Sequence, residues 1–304
     1  MLLAFGSWLA LLLAVYPPAG RADSVVVFNE IMYHPAANER ALEWIELHNQ
    51  NAVDVDLSDW SLSDGISFVF PEGTRIQGGG YLVVAIDPTT LMAQAGIGNV
   101  LGPFAGRLSN GGEAINLCDN NQRLMDRVEY GTDGQWPAGA DGSGASLAKK
   151  HPNLASRPAE SWTVSGQVGG TPGRSNLPPA TESGVVLNEL SGASAASFWI
   201  ELINRGEAPM DLGAMEIVRS GDASPVCVCP SHVLAGGATV VLTQAELGFG
   251  AAEGDRVFLF DPGRRLLLDA VTVRAAGRGR FPDGAGSWMY PATPTPSRPN
   301  AVAL

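Results

Sequence analysis

The chain is poor in most of what marks a familiar chemical apparatus. It holds three cysteines, Cys118, Cys227 and Cys229, in 304 residues, an odd number that supplies no disulfide framework of the small secreted kind. Cys227 and Cys229 lie two apart, which on a strand places them on one face at about 7 Å, beyond easy disulfide reach. A Cys-x-Cys pair could ligate a soft metal, but no second pair accompanies it; these thiols read as small buried strand residues. A bridge from Cys118 to either of them would join the two halves of the chain, and the sequence leaves that open. Histidines are four, His34, His48, His151 and His232, with no His-x-x-x-His or Glu-x-x-His spacing, so a histidine zinc site is not expected. No Gly-x-Ser-x-Gly elbow, phosphate loop or dinucleotide fingerprint occurs. Charged residues are only 16%, and 19 basic against 31 acidic side chains give a formal charge of −12. That balance lacks the basic footprint of a nucleic-acid binder. Beyond the first residues no apolar run reaches the roughly 18 residues of a membrane span.

What the chain has is turns, with Gly 37 and Pro 21, and an apolar beginning. Met1 to Tyr16 is almost continuously apolar and is followed by Pro17-Pro18 and the small-residue sequence Ala19-Gly20-Arg21-Ala22. This reads as a signal peptide over residues 1–22, with Gly20 at −3 and Ala22 at −1, although no Lys or Arg precedes the apolar run. Cleavage there would leave an exported chain with no stable membrane anchor, and no cysteine lies at the cleavage site to accept lipid.

The rest is one pattern written twice. Val25-Val26-Val27-Phe28-Asn29-Glu30 returns as Val185-Val186-Leu187-Asn188-Glu189. Trp44-Ile45-Glu46-Leu47-His48-Asn49 returns as Trp199-Ile200-Glu201-Leu202-Ile203-Asn204, and Asp56-Leu57 as Asp211-Leu212. Both copies close on Pro-rich tails, Pro172-Gly173-Arg174-Ser175-Asn176 and Pro296-Ser297-Arg298-Pro299-Asn300. The order is constant, so two related domains are expected, over residues 23–178 and 179–304. Alternation from Glu43 to Asn49 puts Ile45 and Leu47 on one face and Trp44, Glu46 and His48 on the other. Ile115 to Tyr130 and Val257 to Val273 read as hairpins turning at Asp119-Asn120 and Asp261-Pro262-Gly263. Only Thr89 to Ala95 reads as a helix, so the pattern predicts an all-β chain of sandwich or barrel type.

The runs Phe28-Asn29-Glu30-Ile31-Met32-Tyr33-His34-Pro35, Glu43-Trp44-Ile45-Glu46-Leu47-His48-Asn49 and Val55-Asp56-Leu57-Ser58-Asp59-Trp60-Ser61-Leu62-Ser63-Asp64-Gly65 resemble the exported bacterial branch of the lamin tail domain family. So do Gly79-Gly80-Tyr81-Leu82-Val83-Val84-Ala85, Leu108-Ser109-Asn110-Gly111-Gly112-Glu113 and Gly170-Thr171-Pro172-Gly173. The second copy is similar in a diverged form, with Met215 where the first has Trp60 and no Tyr-His-Pro. The resemblance implies two tandem immunoglobulin-like β-sandwich domains after the signal peptide, of a kind used as a non-catalytic module. Likeness of fold does not itself supply an activity.

Two sets of acidic residues are the candidate sites. Glu30 and Glu46 sit on strands expected to be neighbours, and Glu189 and Glu201 repeat them; such a pair is what a glycosidase would use as acid and nucleophile or base. Presence in both copies favours a shared structural device, each Glu accepting hydrogen bonds at a sheet face. Asp54, Asp56, Asp59 and Asp64 could collect oxygen ligands for Ca²⁺, but the calcium-loop order is absent and Asp56 beside Leu57 recurs as a turn residue would. The tryptophans could offer a sugar platform, though packing in the cores accounts for most of them. The expectation is an exported, non-enzymatic binding or structural module without cofactor, contacting protein or polysaccharide at the cell envelope or outside the cell and not nucleic acid. A secreted hydrolase using Glu30 and Glu46, or a calcium-dependent adhesin using Asp54, Asp56 and Asp59, stand as the alternatives.

Overall fold

The computed structural model describes residues 20, 24–36, 39–177, 184–221, 226–284, 287–291 and 293–301. The proposed signal peptide, apart from Gly20, and the proposed boundary at residue 178 lie outside these. The first set of strands is β1 (Val26–Met32), β2 (Trp44–Asn49), β3 (Val55–Asp56), β4 (Ser61–Asp64), β5 (Ile66–Val69), β6 (Arg75–Ile76), β7 (Tyr81–Ala85), β8 (Val100–Leu101), β9 (Ala105–Gly106), β10 (Glu113–Cys118), β11 (Leu124–Tyr130), β12 (Ala145–Lys149) and β13 (Trp162–Val168). A six-stranded sheet in the order β13-β12-β1-β2-β7-β8 faces a five-stranded sheet, β11-β10-β4-β5-β9. Between them lies a core containing Phe28, Ile45, Leu47, Trp60, Phe70 and Ile115. Ladders are antiparallel except for β7 with β8.

The second set is β14 (Val185–Leu190), β15 (Trp199–Asn204), β16 (Met210–Asp211), β17 (Glu216–Arg219), β18 (Val226–Val228), β19 (Val233–Leu234), β20 (Thr239–Thr243), β21 (Arg256–Phe260), β22 (Leu267–Thr272), β23 (Arg278–Phe281) and β24 (Ser287–Met289). Its sheets run β20-β15-β14-β23-β24 and β18-β17-β21-β22, around a core in which Met215 and the thiols Cys227 and Cys229 are buried. All three cysteines are free, so no bridge to Cys118 forms. The architecture is two immunoglobulin-like β-sandwiches in tandem.

Three short α-helices are present among the described residues where one was expected: α1 (Glu39–Leu42), α2 (Pro88–Ala95) and α3 (Gln244–Leu247). α2 is the helix read at Thr89 to Ala95; Asp87 caps it and Gly96, at φ 66°, ends it. α3 is a single turn held by a capping box between Thr243 and Glu246, a spacing readable in the sequence but too short to carry apolar periodicity.

One alternation has a different meaning from the one read. Ile45 and Leu47 do enter the inter-sheet core, yet all of β2 is buried. The outer face of the large sheet is covered too. α2 lays Leu91 over Met32, Trp44, Val83 and Ala85 in a second apolar cluster, and the segment after β13 runs across the rest. In the second sandwich, where only α3 follows β20, Trp199 occupies the position of Trp44 and is half-buried.

The two sandwiches touch through an apolar seam. Ala145 and the half-buried Val164 and Val168 of the first pack with Val218, Phe258, Phe260 and Leu267 of the second. A bridge joins Gln167 to Leu266, and the Val168 N–H donates to the Arg265 carbonyl at 3.0 Å. At its rim Arg256 reaches Asp141 and Arg274 reaches Asp133. Asp141 is also bonded by His34 Nδ1 at 2.5 Å.

Candidate functional site

The recurring Asn-Glu dipeptides sit at bulges. In β1 the pairing with β2 shifts between Phe28 and Glu30, and in β14 it shifts between Leu187 and Glu189. A bulge sets two residues against one and re-aims their side chains. Asn29 and Glu30 thereby both serve the outer face, as do Asn188 and Glu189. Across the ladder Glu30 pairs with Glu46 and Glu189 with Glu201. The expected neighbourhood of the carboxylates therefore exists in both sandwiches, and all four are buried.

What the carboxylates hold is the chain's own tail. Glu30 Oε1 accepts the Thr171 N–H at 2.9 Å and the Ser146 hydroxyl, while Oε2 accepts the Thr171 hydroxyl at 2.8 Å. Glu46 accepts the Asn29 amide at 2.7 Å and the Gly173 N–H at 2.6 Å. The Asn176 amide then donates to the Lys149 and Asn29 carbonyls at 2.9 and 3.1 Å. The second sandwich repeats this. Glu189 accepts the N–H and hydroxyl of Thr295 at 2.9 and 3.3 Å. Glu201 accepts the Asn188 amide at 2.8 Å and the Ser297 N–H at 2.6 Å. The Asn300 amide donates to the Arg280 carbonyl at 2.8 Å. Buried N–H groups need acceptors, and a carboxylate supplies several lone pairs at one point. That is why an otherwise costly buried acid suits the closure of a sheet by an irregular segment.

A second repeated device lies at the other edge of each β1-type strand. Asp126 accepts the Phe28 N–H at 2.9 Å and the Ser156 hydroxyl at 2.6 Å; Asp269 accepts the Leu187 N–H at 3.0 Å. Nearby, Lys149 stands 5.8 Å from the Trp162 ring and Arg280 4.7 Å from that of Trp288. Burial pushes the Lys149 ammonium down to about 8. The device at Asp126 and Asp269 was not read from the sequence, and the carboxylate device was read only as Glu side chains accepting hydrogen bonds at a sheet face, without the tail. The recurrence of Asn29 and Asn188, and of Asn176 and Asn300, was its visible signal.

Electrostatics mark the pair as strained. Burial raises the Glu30 and Glu46 carboxyls above the ordinary range, and the charge of Glu30 raises Glu46 further. Burial likewise raises Glu189 and Glu201. A raised carboxyl binds its proton more tightly folded than unfolded, so its contribution is fully present below the unfolded value near 4.5 and is lost as pH rises through the folded value. Stability of the first sandwich should therefore increase on mild acidification from neutrality. Thermal melting at pH 7 and pH 5 checks this, and Glu46→Gln should flatten the difference.

The other candidates are dispersed into local structure. Asp56 accepts the Ser58 N–H at 2.9 Å and is held low by the Ser58 hydroxyl. Asp54 accepts the Gly78 N–H at 3.1 Å, and Asp59 adopts φ 62° in the turn. In the second sandwich Asp211 makes the equivalent turn, accepting from Gly213 and His232. Among the described residues no three His, Cys, Asp or Glu side chains converge as metal ligands. Trp44 and Trp162 are fully buried and Trp60 nearly so, whereas Trp136, Trp199 and Trp288 are half-buried. A cleft of about 590 Å³ opens beside the first tail, with Met32, Trp44, Leu91, Ile97, Gly170 and Arg174 in its wall. Neither Glu30 nor Glu46 lines it.

Fold and site together define an immunoglobulin-like sandwich module closed by its own C-terminal segment. Residues 19–132 match the model of the Lamin Tail Domain, the family that the sequence resembles. The match ends ahead of β12, β13 and the first tail. No curated protein matches the chain. Solved structures that match include the exo-beta-D-glucosaminidase CsxA with a glucosamine-configured castanospermine, at 13% identity and TM-score 0.20, over 78% of this chain and 27% of that one. Another is the Amycolatopsis orientalis exo-chitosanase CsxA, at 13% and 0.20, over 80% of this chain and 26% of that one. The chain spans about a quarter of the length of these enzymes, and a likeness at that TM-score carries no argument about it.

Proposed function

We propose that this chain is an exported, non-catalytic module made of two diverged copies of one lamin-tail-like sandwich, which contacts a protein or polysaccharide at the cell envelope or outside the cell. One observation carries the reading. The paired carboxylates spend their oxygens on the chain's own tail and do not line the adjacent cleft, so a substrate has no route to them while the sandwich is closed. Support for two copies comes from the shared bulge, carboxylate pair and tail. The test is a glycan and envelope-protein binding array probed with the mature chain, alongside a hydrolysis screen of wild type and Glu46→Gln. Retained binding by Glu46→Gln and no turnover by either protein is the expected result. A hydrolytic activity that Glu46→Gln abolishes without unfolding the chain would overturn the reading.

A further inference from the structure

The two tails share more than a Pro-rich character. Thr171-Pro172-Gly173-Arg174-Ser175-Asn176 and Thr295-Pro296-Ser297-Arg298-Pro299-Asn300 both read Thr-Pro-x-Arg-x-Asn. Each uses the same atoms: the Thr N–H and hydroxyl on the first Glu, the N–H two residues on to the second Glu, and the Asn amide on the carbonyl of the neighbouring strand. One chain thus displays the same short segment docked twice on the same kind of site. This is peptide recognition through the main chain of a turn, closed in both tails by the Arg N–H on the Thr carbonyl, and two specifying side chains, observed with its ligand supplied in cis.

The two docked segments are not equally secured. In the first, Thr171 and Pro172 are buried, and the residue at the third position is Gly173 at φ 79°. In the second, Pro296 to Pro299 are exposed, and that position is Ser297 at φ 60°. A non-glycine residue there is strained. Thr295 donates to Glu189 without the additional serine hydroxyl that Ser146 gives Glu30. Apart from the bonds inside the tail, Thr295 hydroxyl to Asn300 and Arg298 N–H to the Thr295 carbonyl, those that fasten it run to residues outside it, so another molecule's tail could make the same set.

We propose that the Glu189–Glu201–Asn188 site is an exchangeable docking site, and that the Thr-Pro-Ser-Arg-Pro-Asn segment of a second copy of this chain replaces the resident tail there. This deepens the module reading and rests on it only in treating the carboxylates as receptors of a peptide. The probe is a labelled peptide spanning residues 291–301, titrated by fluorescence anisotropy into the full chain carrying Thr295→Ala and Asn300→Ala, which opens the site. Saturable binding is expected, at least about tenfold weaker for a peptide carrying the same two alanines. In parallel, sedimentation of the wild-type chain should show a dimer that grows with concentration and vanishes in Thr295→Ala/Asn300→Ala. Absence of peptide uptake by the opened chain, shown to be folded by its thermal transition, overturns the proposal. Should the opened chain not fold, a wild-type chain that stays monomeric up to about 1 mM overturns it instead. A blank envelope array would sink the proposed function and leave this exchange standing, and a failed exchange leaves the array result intact.

Discussion

Replacing Glu30 by alanine should lower the stability of the first sandwich by about 3 kcal/mol, read as a shift of the denaturant midpoint of the full chain. Three donors converge on this carboxylate, the Thr171 N–H, the Thr171 hydroxyl and the Ser146 hydroxyl, and Glu30 is fully shielded from solvent. Alanine leaves all three facing a void. Against this stands a gain, because wild type keeps two acids side by side in a poorly solvated place and the pair repels. That gain is limited, since a buried acid under such pressure takes up a proton instead of remaining charged. The unmet donors win. Glutamine provides the contrast: its carbonyl oxygen, in the place of Oε1, can accept both the Thr171 N–H and the Ser146 hydroxyl, while the Thr171 hydroxyl can rotate and accept from its NH₂. Glu30→Gln should therefore cost about 1 kcal/mol, a fraction of the alanine effect. An alanine variant as stable as wild type would mean that the tail is not fastened by this carboxylate. Gly170 offers an independent check of the closure. A Cβ there would stand 2.7 Å from Trp44 Cζ2 and 2.9 Å from Glu30 Oε1, at φ 75°, so Gly170→Ala should also loosen the tail.

The carboxylate pair shows where reading a sequence stops. Strand identity was legible, because β-branched and aromatic runs separated by Asn-Gly and Asp-Pro-Gly turns carry period and punctuation locally. The hairpins β10–β11 and β21–β22 and the helix α2 lie where the spacing put them. The pairing of Glu30 with Glu46 was legible through the repeat. The partner of that pair was not. Glu30 and Thr171 are 141 residues apart, and nothing periodic links a bulged strand to an irregular tail that docks with its backbone. The alternation in β2 concealed this too: Glu46 occupies an outward position, which in isolation means solvent, and only the arrival of Gly173 turns it into an interior position. The same holds for Trp44, outward on β2 yet covered by α2. An outward polar or aromatic residue on a strand identifies a face, and the burial of that face is decided by segments elsewhere in the chain.

Leu267→Asp should uncouple the two sandwiches, splitting one thermal transition of the full chain into two and costing at least about 3 kcal/mol at the seam. Leu267 is 1% exposed and lies in the cluster that joins Ala145 and Val164 to Phe260. Its side chain belongs to this seam and not to the inner core of the second sandwich, whose neighbouring contributors are Leu259 and Val271. Fit at the seam is close enough that a Cβ added to Gly139 would stand 2.7 Å from Leu267 Cδ2. An aspartate placed there loses the packing and brings an unpaired carboxylate against apolar side chains. Separation of the sandwiches returns that charge to water at the expense of the seam alone, so each sandwich should keep its own sheets. Domains joined by small polar interfaces normally move and melt independently; an apolar cluster backed by the main-chain bond from the Val168 N–H to the Arg265 carbonyl should instead make them unfold together. Arg256→Ala should have a much smaller effect, about 1 kcal/mol, because Asp141 retains His34 and the apolar cluster is untouched. Differential scanning calorimetry of the full chain separates the cases: an unsplit transition in Leu267→Asp, at the wild-type temperature, would show that the seam does not hold the sandwiches together.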